Sequence, residues 1–320
     1  MFSEREMVAS LVSRFPSYIG DDAALLTGAD SLSWVITKDL LAEGVHFRTR
    51  YFSPKDLAHK ALQVNLSDIA AMGGQARFIL CGVSIPAGLE EYGRHFLESL
   101  AQQCRTQGIA LVGGDMTRSC QDFFISVTAL GVVLADQGKK RSTAEKGDFV
   151  CVAGKIGDAF LGLCALEGEI EGLCSFKDHF LKPWAHLAQG RWLAQYPGVT
   201  SMMDLSDGLW VDLDKLGQAS QLGSCLNLDD IEYRDDFLEA CQRLSIDPLE
   251  AFLTGGEDYS LLFTVKPEAW DDLQAGFLRN FALPLRRVGQ MVPDLGVDFS
   301  GKRSPEVYKF KPFSHFGEGR

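Results

Sequence analysis

Hydrophobic residues recur at helical spacing in one segment of the first half of the chain. The apolar residues that share one face of this segment are Leu57, Ala61, Val64 and Ala71. Because residues three or four positions apart fall on the same side of a helix, the pattern predicts an amphipathic helix. Ser53 and Pro54 supply an N-cap and a proline at the first helical position, and the glycines at 73–74 end the helix.

Short apolar runs bounded by turn residues predict strands in both halves of the chain. The runs are 33–39, 77–85, 109–112, 123–134, 149–153, 199–204 and 259–265. Two further helices are predicted at 90–107 and at 207–220, the second with Asp207 as N-cap, and the glycine-rich turn at 154–157 opens another. This mixture predicts an α/β (α+β) protein of two domains. We place the domains at 1–137 and 138–320, because the polar composition of residues 136–147 is typical of a linker.

Composition narrows the possible functions. With 320 residues, 46% of them hydrophobic, the chain can bury a large core. A net charge of −12 without a basic tract argues against binding to nucleic acid or to an anionic membrane. No run of 18 apolar residues predicts a membrane span, and the charged start is unlike a signal peptide. Eight cysteines without a C-x-x-C pair predict reduced thiols and a cytoplasmic protein.

Aspartates stand beside small residues just after several apolar runs. They are Asp22, Asp39, Asp68, Asp115, Asp204 and Asp207. Singly, each could form a turn or cap a helix, and Asp207 is the clearest example. Asp68 resists that explanation, because it interrupts the apolar face of a helix, where a lone carboxylate is costly. Together they would repel one another, and Mg²⁺ is the cation that carboxylates and substrate phosphates hold. The pattern predicts a magnesium-dependent enzyme that acts on phosphates.

Phosphate-binding loops give a weaker signal. The chain has no G-x-x-x-x-G-K-[ST] motif, and the segment 154–157 (GKIG) is only a faint candidate. The segment 111–118 is more suggestive, because its two glycines expose backbone N–H groups beside Asp115 and Arg118.

Several sequence blocks, in one order, resemble the thiamine-monophosphate kinase family. The blocks are GDDAA at 20–24, DLLAEGVHF at 39–47, KALQVNLSDIAAMG at 60–73, LVGGDMTR at 111–118, DLSDGL at 204–209 and TGGEDY at 254–259. The similarity extends over about residues 18–265, with a weaker echo near the C-terminus. The resemblance implies an N-terminal α/β domain whose strands form a barrel with those of a second subunit, in a homodimer. It also implies that ATP and several Mg²⁺ ions bind between this domain and a C-terminal α/β domain.

The resemblance also implies an activity, the transfer of the ATP γ-phosphoryl group to thiamine monophosphate to give thiamine diphosphate and ADP. By the same resemblance, Asp68, Asp115 and Asp204 are the catalytic residues. The implied metal ligands are Asp22, Thr37, Asp39, Asp68, Asp115, Asp204 and Asp207. The implied ATP contacts are Gly114, Asp115, Arg141 and Ser206, and the implied substrate contacts are His46, Glu257 and Phe313. On hydrophobicity alone, Phe313 is equally compatible with a packed C-terminal anchor.

Two positions depart from the family pattern. Lys38 stands where a hydroxyl residue is usual, and it either supplies a fixed positive charge or points away from the site. Met116 replaces a threonine after Gly-Gly-Asp. These departures keep open a nucleotide- or metal-sensing protein that has lost turnover. By resemblance the family belongs to a superfamily with aminoimidazole ribonucleotide synthetase, selenophosphate synthetase and HypE, and another ATP-using member of that superfamily is the second alternative. The chain lacks the early reactive cysteine of selenophosphate synthetase and the C-terminal cysteine of HypE.

Overall fold

Two β-sheets organise the two halves of the chain. The computed structural model describes residues 4–15, 18–28, 31–303 and 309–311, apart from the side chains of residues 4–7 and 9. Within these residues no helix is long and apolar enough to cross a membrane. The sheets, with helices packed against them, confirm the predicted α/β class.

The first sheet has five strands in the order β1-β2-β5-β3-β4. They are β1 (Ala24–Thr27), β2 (Leu32–Ala42), β3 (Gln75–Ile85), β4 (Ala110–Arg118) and β5 (Phe124–Leu134). Neighbours are antiparallel except β3 and β4, which are parallel and are joined through a helix, as a parallel pair requires. The helices of this half are α1 (Glu4–Arg14), α2 (Pro54–Ala71) and α3 (Glu90–Thr106).

Among the residues that the structure describes, only one face of this sheet is covered. Along β2 the odd-numbered positions from Ser33 to Leu41 point towards the core, whereas Trp34, Lys38 and Leu40 are exposed. Large apolar side chains at least 37% exposed lie on this outer face: Leu26, Leu32, Trp34, Leu40, Leu80 and Leu134. Strand β4 is exposed along its whole length at the edge of the sheet.

The second sheet has six strands in the order β11-β8-β10-β6-β9-β7. They are β6 (Phe149–Ala153), β7 (Val199–Asp204), β8 (Gly223–Asn227), β9 (Leu261–Val265), β10 (Leu285–Val292) and β11 (Gly296–Ser300). The helices of this half are α4 (Asp158–Glu167), α5 (Cys174–Leu181), α6 (Leu187–Gln195), α7 (Leu209–Ser220), α8 (Asp235–Leu244), α9 (Pro248–Thr254) and α10 (Trp270–Asn280).

Helix α2 lies between the two halves. Ser53 accepts a hydrogen bond from the Asp56 N–H at its start, as predicted, and thirteen of its eighteen residues are buried. Its last turn packs into the core of the second half, where Ala70 and Ala71 join the cluster around Phe263. A Cβ on Gly190 of α6 would lie 2.2 Å from the carbonyl oxygen of Ala70, so only glycine permits this close approach.

Two predicted boundaries are wrong. The strand expected to end at the glycines after 112 continues to Arg118, because it pairs with β3 along its length. The predicted Asp207 cap does not form: α7 begins at Leu209 with Gly208 as its N-cap residue. The carboxylate of Asp212, inside the helix, accepts instead the N–H groups of residues 206–208, which precede the helix.

Candidate functional site

Three of the predicted aspartates meet where the two halves face each other. One carboxylate oxygen from each of Asp22, Asp68 and Asp204 lies within 4.8 Å of the others. Asp22 precedes β1, Asp68 lies in α2 and Asp204 ends β7. The packing of α2 between the two sheets is therefore what assembles this cluster.

Strand β2 adds a second layer to the cluster. The hydroxyl of Thr37 donates a short hydrogen bond to Asp68 Oδ2. The backbone N–H of Asp39 donates to Asn65 Oδ1 at 3.2 Å, which ties β2 to α2 beside Asp68. Lys38 lies on the opposite face of the strand and donates to Ser126 Oγ at 2.5 Å. Of the two roles left open for Lys38, the structure shows the one in which it points away.

The cluster carries more negative charge than its surroundings balance. Burial, and then the carboxylates of Asp39, Asp204 and Asp22, raise the pKa of Asp68 well above its usual value. Burial and Asp22 raise the pKa of Asp39 to about 6. Burial is also the main cause that raises the pKa of Asp204, whose Oδ2 accepts a hydrogen bond from Ser67 at 2.6 Å.

One guanidinium reaches this cluster. Arg141 Nη2 lies 2.5 Å from Asp22 Oδ1, and the Arg141 N–H donates to Asp21 Oδ1 at 2.8 Å. Burial lowers the pKa of Arg141, but the charge and hydrogen bond of Asp22, together with the charges of Asp212 and Asp204, outweigh burial, so the net pKa is raised. The other oxygen of Asp22, Oδ2, is buried without a hydrogen-bond partner. A crowded set of hard oxygen donors with one orphaned oxygen fits a divalent cation such as Mg²⁺.

Asp212 organises the loop that carries Ser206 and Asp207. Its Oδ2 accepts the backbone N–H groups of residues 206, 207 and 208 at 3.0, 2.9 and 3.2 Å. Lys215 Nζ lies 2.5 Å from Asp207 Oδ2 and 2.8 Å from Asp212 Oδ1. Asp212 was not among the residues predicted from the sequence, although it interrupts the apolar face of its helix just as Asp68 does.

Glu257 lies on a loop packed against the one that carries Ser206. Its backbone N–H donates to the Ser206 carbonyl at 2.7 Å, and its φ is +67°. Its carboxylate pairs with Lys60 of α2, a residue for which the sequence predicted no role. The neighbouring Asp258 accepts the N–H groups of Gly157 and Ala159 at 2.6 and 3.0 Å, at the start of α4.

Other predicted residues lie apart from the cluster. Gly114 and Asp115 are on the exposed strand β4, and Asp115 Oδ1 accepts the Met116 N–H at 2.9 Å. Two strands separate β4 from β2, so Asp115 is about 14 Å from Asp39 within one chain. His46, half-buried in the turn after β2, accepts the Ala42 N–H at Nδ1 (3.1 Å). Phe313 lies outside the described residues.

The chain is similar to proteins of known family. The family model of the AIR synthase related protein, N-terminal domain, matches residues 20–133. Thiamine-monophosphate kinase of Salmonella typhimurium (strain LT2) is 32% identical over 307 residues, 93% of this chain and 91% of that protein. The Escherichia coli (strain K12) thiamine-monophosphate kinase is 33% identical over 308 residues, with the same two coverages.

The fold is also similar to that of a solved structure. A solved structure of AaThiL complexed with AMPPCP and TMP matches with a TM-score of 0.85 at 29% identity, over 98% of this chain and 97% of that one. The chain belongs to the thiamine-monophosphate kinase family.

Proposed function

We propose that this chain transfers the γ-phosphoryl group of ATP to thiamine monophosphate, giving thiamine diphosphate and ADP. The observation that carries the proposal is the convergence of Asp22, Asp68 and Asp204 in a member of this family. The structural relative that holds AMPPCP, an ATP analogue, together with TMP supports the same pairing of substrates.

The reaction needs little acid–base chemistry. The acceptor oxygen belongs to a phosphate that is already ionised at neutral pH, so no strong base has to remove a proton. The main barrier is repulsion between two polyanions, and positioning and charge neutralisation lower it. When bound, Mg²⁺ supplies that neutralisation.

This chain's own residues hold the reacting groups in place. Asp22, Asp68 and Asp204 would hold the metal ions, Thr37 orients Asp68 by donating to it, and Ser67 orients Asp204. The remaining proposed ligands are Thr37, Asp39, Asp115 and Asp207. The proposed nucleotide contacts are Gly114, Asp115, Arg141 and Ser206, and the proposed acceptor contacts are His46, Glu257 and Phe313.

We propose a homodimer that buries the outer face of the first sheet and the edge strand β4. The exposed apolar residues of that face and the unpaired edge support it, since both favour association with a second sheet. Light scattering at micromolar concentration should give twice the mass of one chain. Trp34→Glu should give a monomer, whereas Leu278→Glu, an exposed leucine on α10, should not. A monomeric wild-type protein would contradict the proposal.

We place the reaction in the cytoplasm. All eight cysteines lie within the described residues and no disulfide joins them, which favours a reducing compartment.

The decisive experiment is chromatographic detection of thiamine diphosphate after incubation of the purified protein with thiamine monophosphate, ATP and Mg²⁺. Product should form, and EDTA should abolish it. If calorimetry shows that ATP binds although no product forms, the protein is either a nucleotide sensor without turnover or an enzyme that phosphorylates a different acceptor.

A further inference from the structure

A lysine is buried where the two halves of the chain meet. Lys60 of α2 is 1% exposed, and its ammonium donates to Glu257 Oε2 from the other half of the chain. The ammonium also lies 3.4 Å from the Phe180 carbonyl oxygen and 3.6 Å from the centroid of the Phe180 ring. The ring of Phe52, with its centroid 5.4 Å away, lies close to it as well. Lys60 is therefore held by contacts from both halves.

Stability alone does not explain this ion pair. Burial lowers the pKa of Lys60, and Glu257 only partly offsets the effect. Taking an ammonium out of water costs several kcal/mol, and apolar replacements of buried ion pairs are often as stable as the pair itself. A methionine among these aromatic rings would pack without that cost.

Glu257 is held by one carboxylate oxygen only. Its side chain is 24% exposed, and its Oε2 accepts from Lys60. Its Oε1 makes no hydrogen bond within the part of the chain that the structure describes. The left-handed backbone and the bond from its N–H to Ser206 fix where the side chain starts. Lys60 therefore fixes the other end of the side chain and leaves one charged oxygen for a ligand.

Lys60 and the carboxylate cluster lie along one face of α2. Ser67, seven residues after Lys60, points to the same side and donates to Asp204. Seven residues of helix span about 10 Å. Ser67 and Lys60 thus lie on the same face of α2, about 10 Å apart along the helix axis. Ser67 contacts the carboxylate cluster, and Lys60 contacts Glu257.

We propose that Lys60 is a positioning residue for the acceptor, because it holds Glu257 so that Oε1 faces the cationic thiazolium ring of thiamine monophosphate. This inference rests on the proposed function. The acceptor's phosphate would lie at the Asp68 end of the α2 face and its cationic ring at the Glu257 end. Lys60 itself does not touch the substrate and acts through Glu257.

The test compares Lys60→Met with Lys55→Met, a change of an exposed lysine on the same helix. We expect Lys60→Met to raise KM for thiamine monophosphate by about tenfold or more, with KM for ATP changed by less than about twofold. Lys55→Met should change neither. Calorimetric titration of thiamine monophosphate into each protein checks the same loss without turnover.

Glu257→Gln is the second variant, since it preserves the shape of a partly exposed side chain. It should raise KM for thiamine monophosphate as Lys60→Met does, and the double variant should lose little more than either single one. An unchanged KM in either variant, or losses that multiply in the double variant, would overturn the proposal. If Lys60→Met does not fold, the Glu257→Gln result decides alone. Failure of the proposed function is distinguishable, because the wild-type protein would then form no thiamine diphosphate.

Discussion

The metal-free protein should lose stability as the pH rises from about 4 to 7. The reason is Asp39, whose pKa burial and the neighbouring Asp22 raise from 3.8 to about 6 in the folded state. An acid with a raised folded-state pKa contributes its stability below its unfolded value, and that contribution is lost as the pH passes the folded value. Each pKa unit corresponds to about 1.4 kcal/mol, so deprotonating Asp39 costs the folded state about 3 kcal/mol.

Thermal unfolding in EDTA between pH 4.5 and 8 measures this cost. A loss of 3 kcal/mol lowers Tm by about 5–10 °C in a protein of this size. Mg²⁺ should restore Tm at pH 7.5 and have little effect at pH 4.5, because protonated carboxyl groups bind the ion poorly. Asp39→Asn should reduce the pH dependence in EDTA without abolishing it, because the pKa values of Asp68 and Asp204 are raised as well. Asp122→Asn, which changes an exposed carboxylate outside the cluster, should leave the pH dependence as in the wild-type protein.

An equal Tm of the metal-free protein at pH 5 and at pH 7.5 would contradict a raised pKa of Asp39 in the folded state. The same conclusion would follow if Mg²⁺ raised Tm equally at both ends of the pH range. Either result would mean that the carboxylates do not carry unbalanced charge in the folded state.

Three further predictions follow from single contacts. Asp68→Asn should keep the fold by circular dichroism and slow thiamine diphosphate formation on the order of 10²-fold or more, and near-normal turnover would remove Asp68 from the metal site. Asp212→Ala leaves three N–H groups of the 206–208 loop unpaired and should cost about 3 kcal/mol in urea denaturation, so an unchanged midpoint would count against its structural role. Gly114→Ala should prevent folding, because its Cβ would lie 1.8 Å from the Cys81 carbonyl oxygen. Gly113→Ala, with its nearest contact at 3.9 Å, is the matched control, and equal yields of folded protein from both would contradict the argument.

Local signals predicted helix α2 well and failed elsewhere for identifiable reasons. Ser53 and Pro54 are start signals that act within one turn, so they are readable from the sequence. The predicted end of β4 was wrong. Glycines usually break strands, and here only the pairing with β3 overrides that tendency. The last strands, β10 and β11, were not predicted, because their polar residues hide the alternation and neighbouring strands provide their hydrogen bonds.

Residue identities and their order along the chain were enough to predict the kind of chemistry and to indicate the family. Side-chain identity is a local property, so candidate oxygen ligands for a hard cation and the order of the sequence blocks are visible without a structure. Which of these residues meet is decided by strand order and by the packing of α2 between the sheets. Asp22, Asp68 and Asp204 come together, whereas Asp115 lies three strands from Asp39. The pairing of Lys60 with Glu257, 197 residues later, likewise depends on the docking of the two halves, and such long-range contacts leave no periodic trace in the sequence.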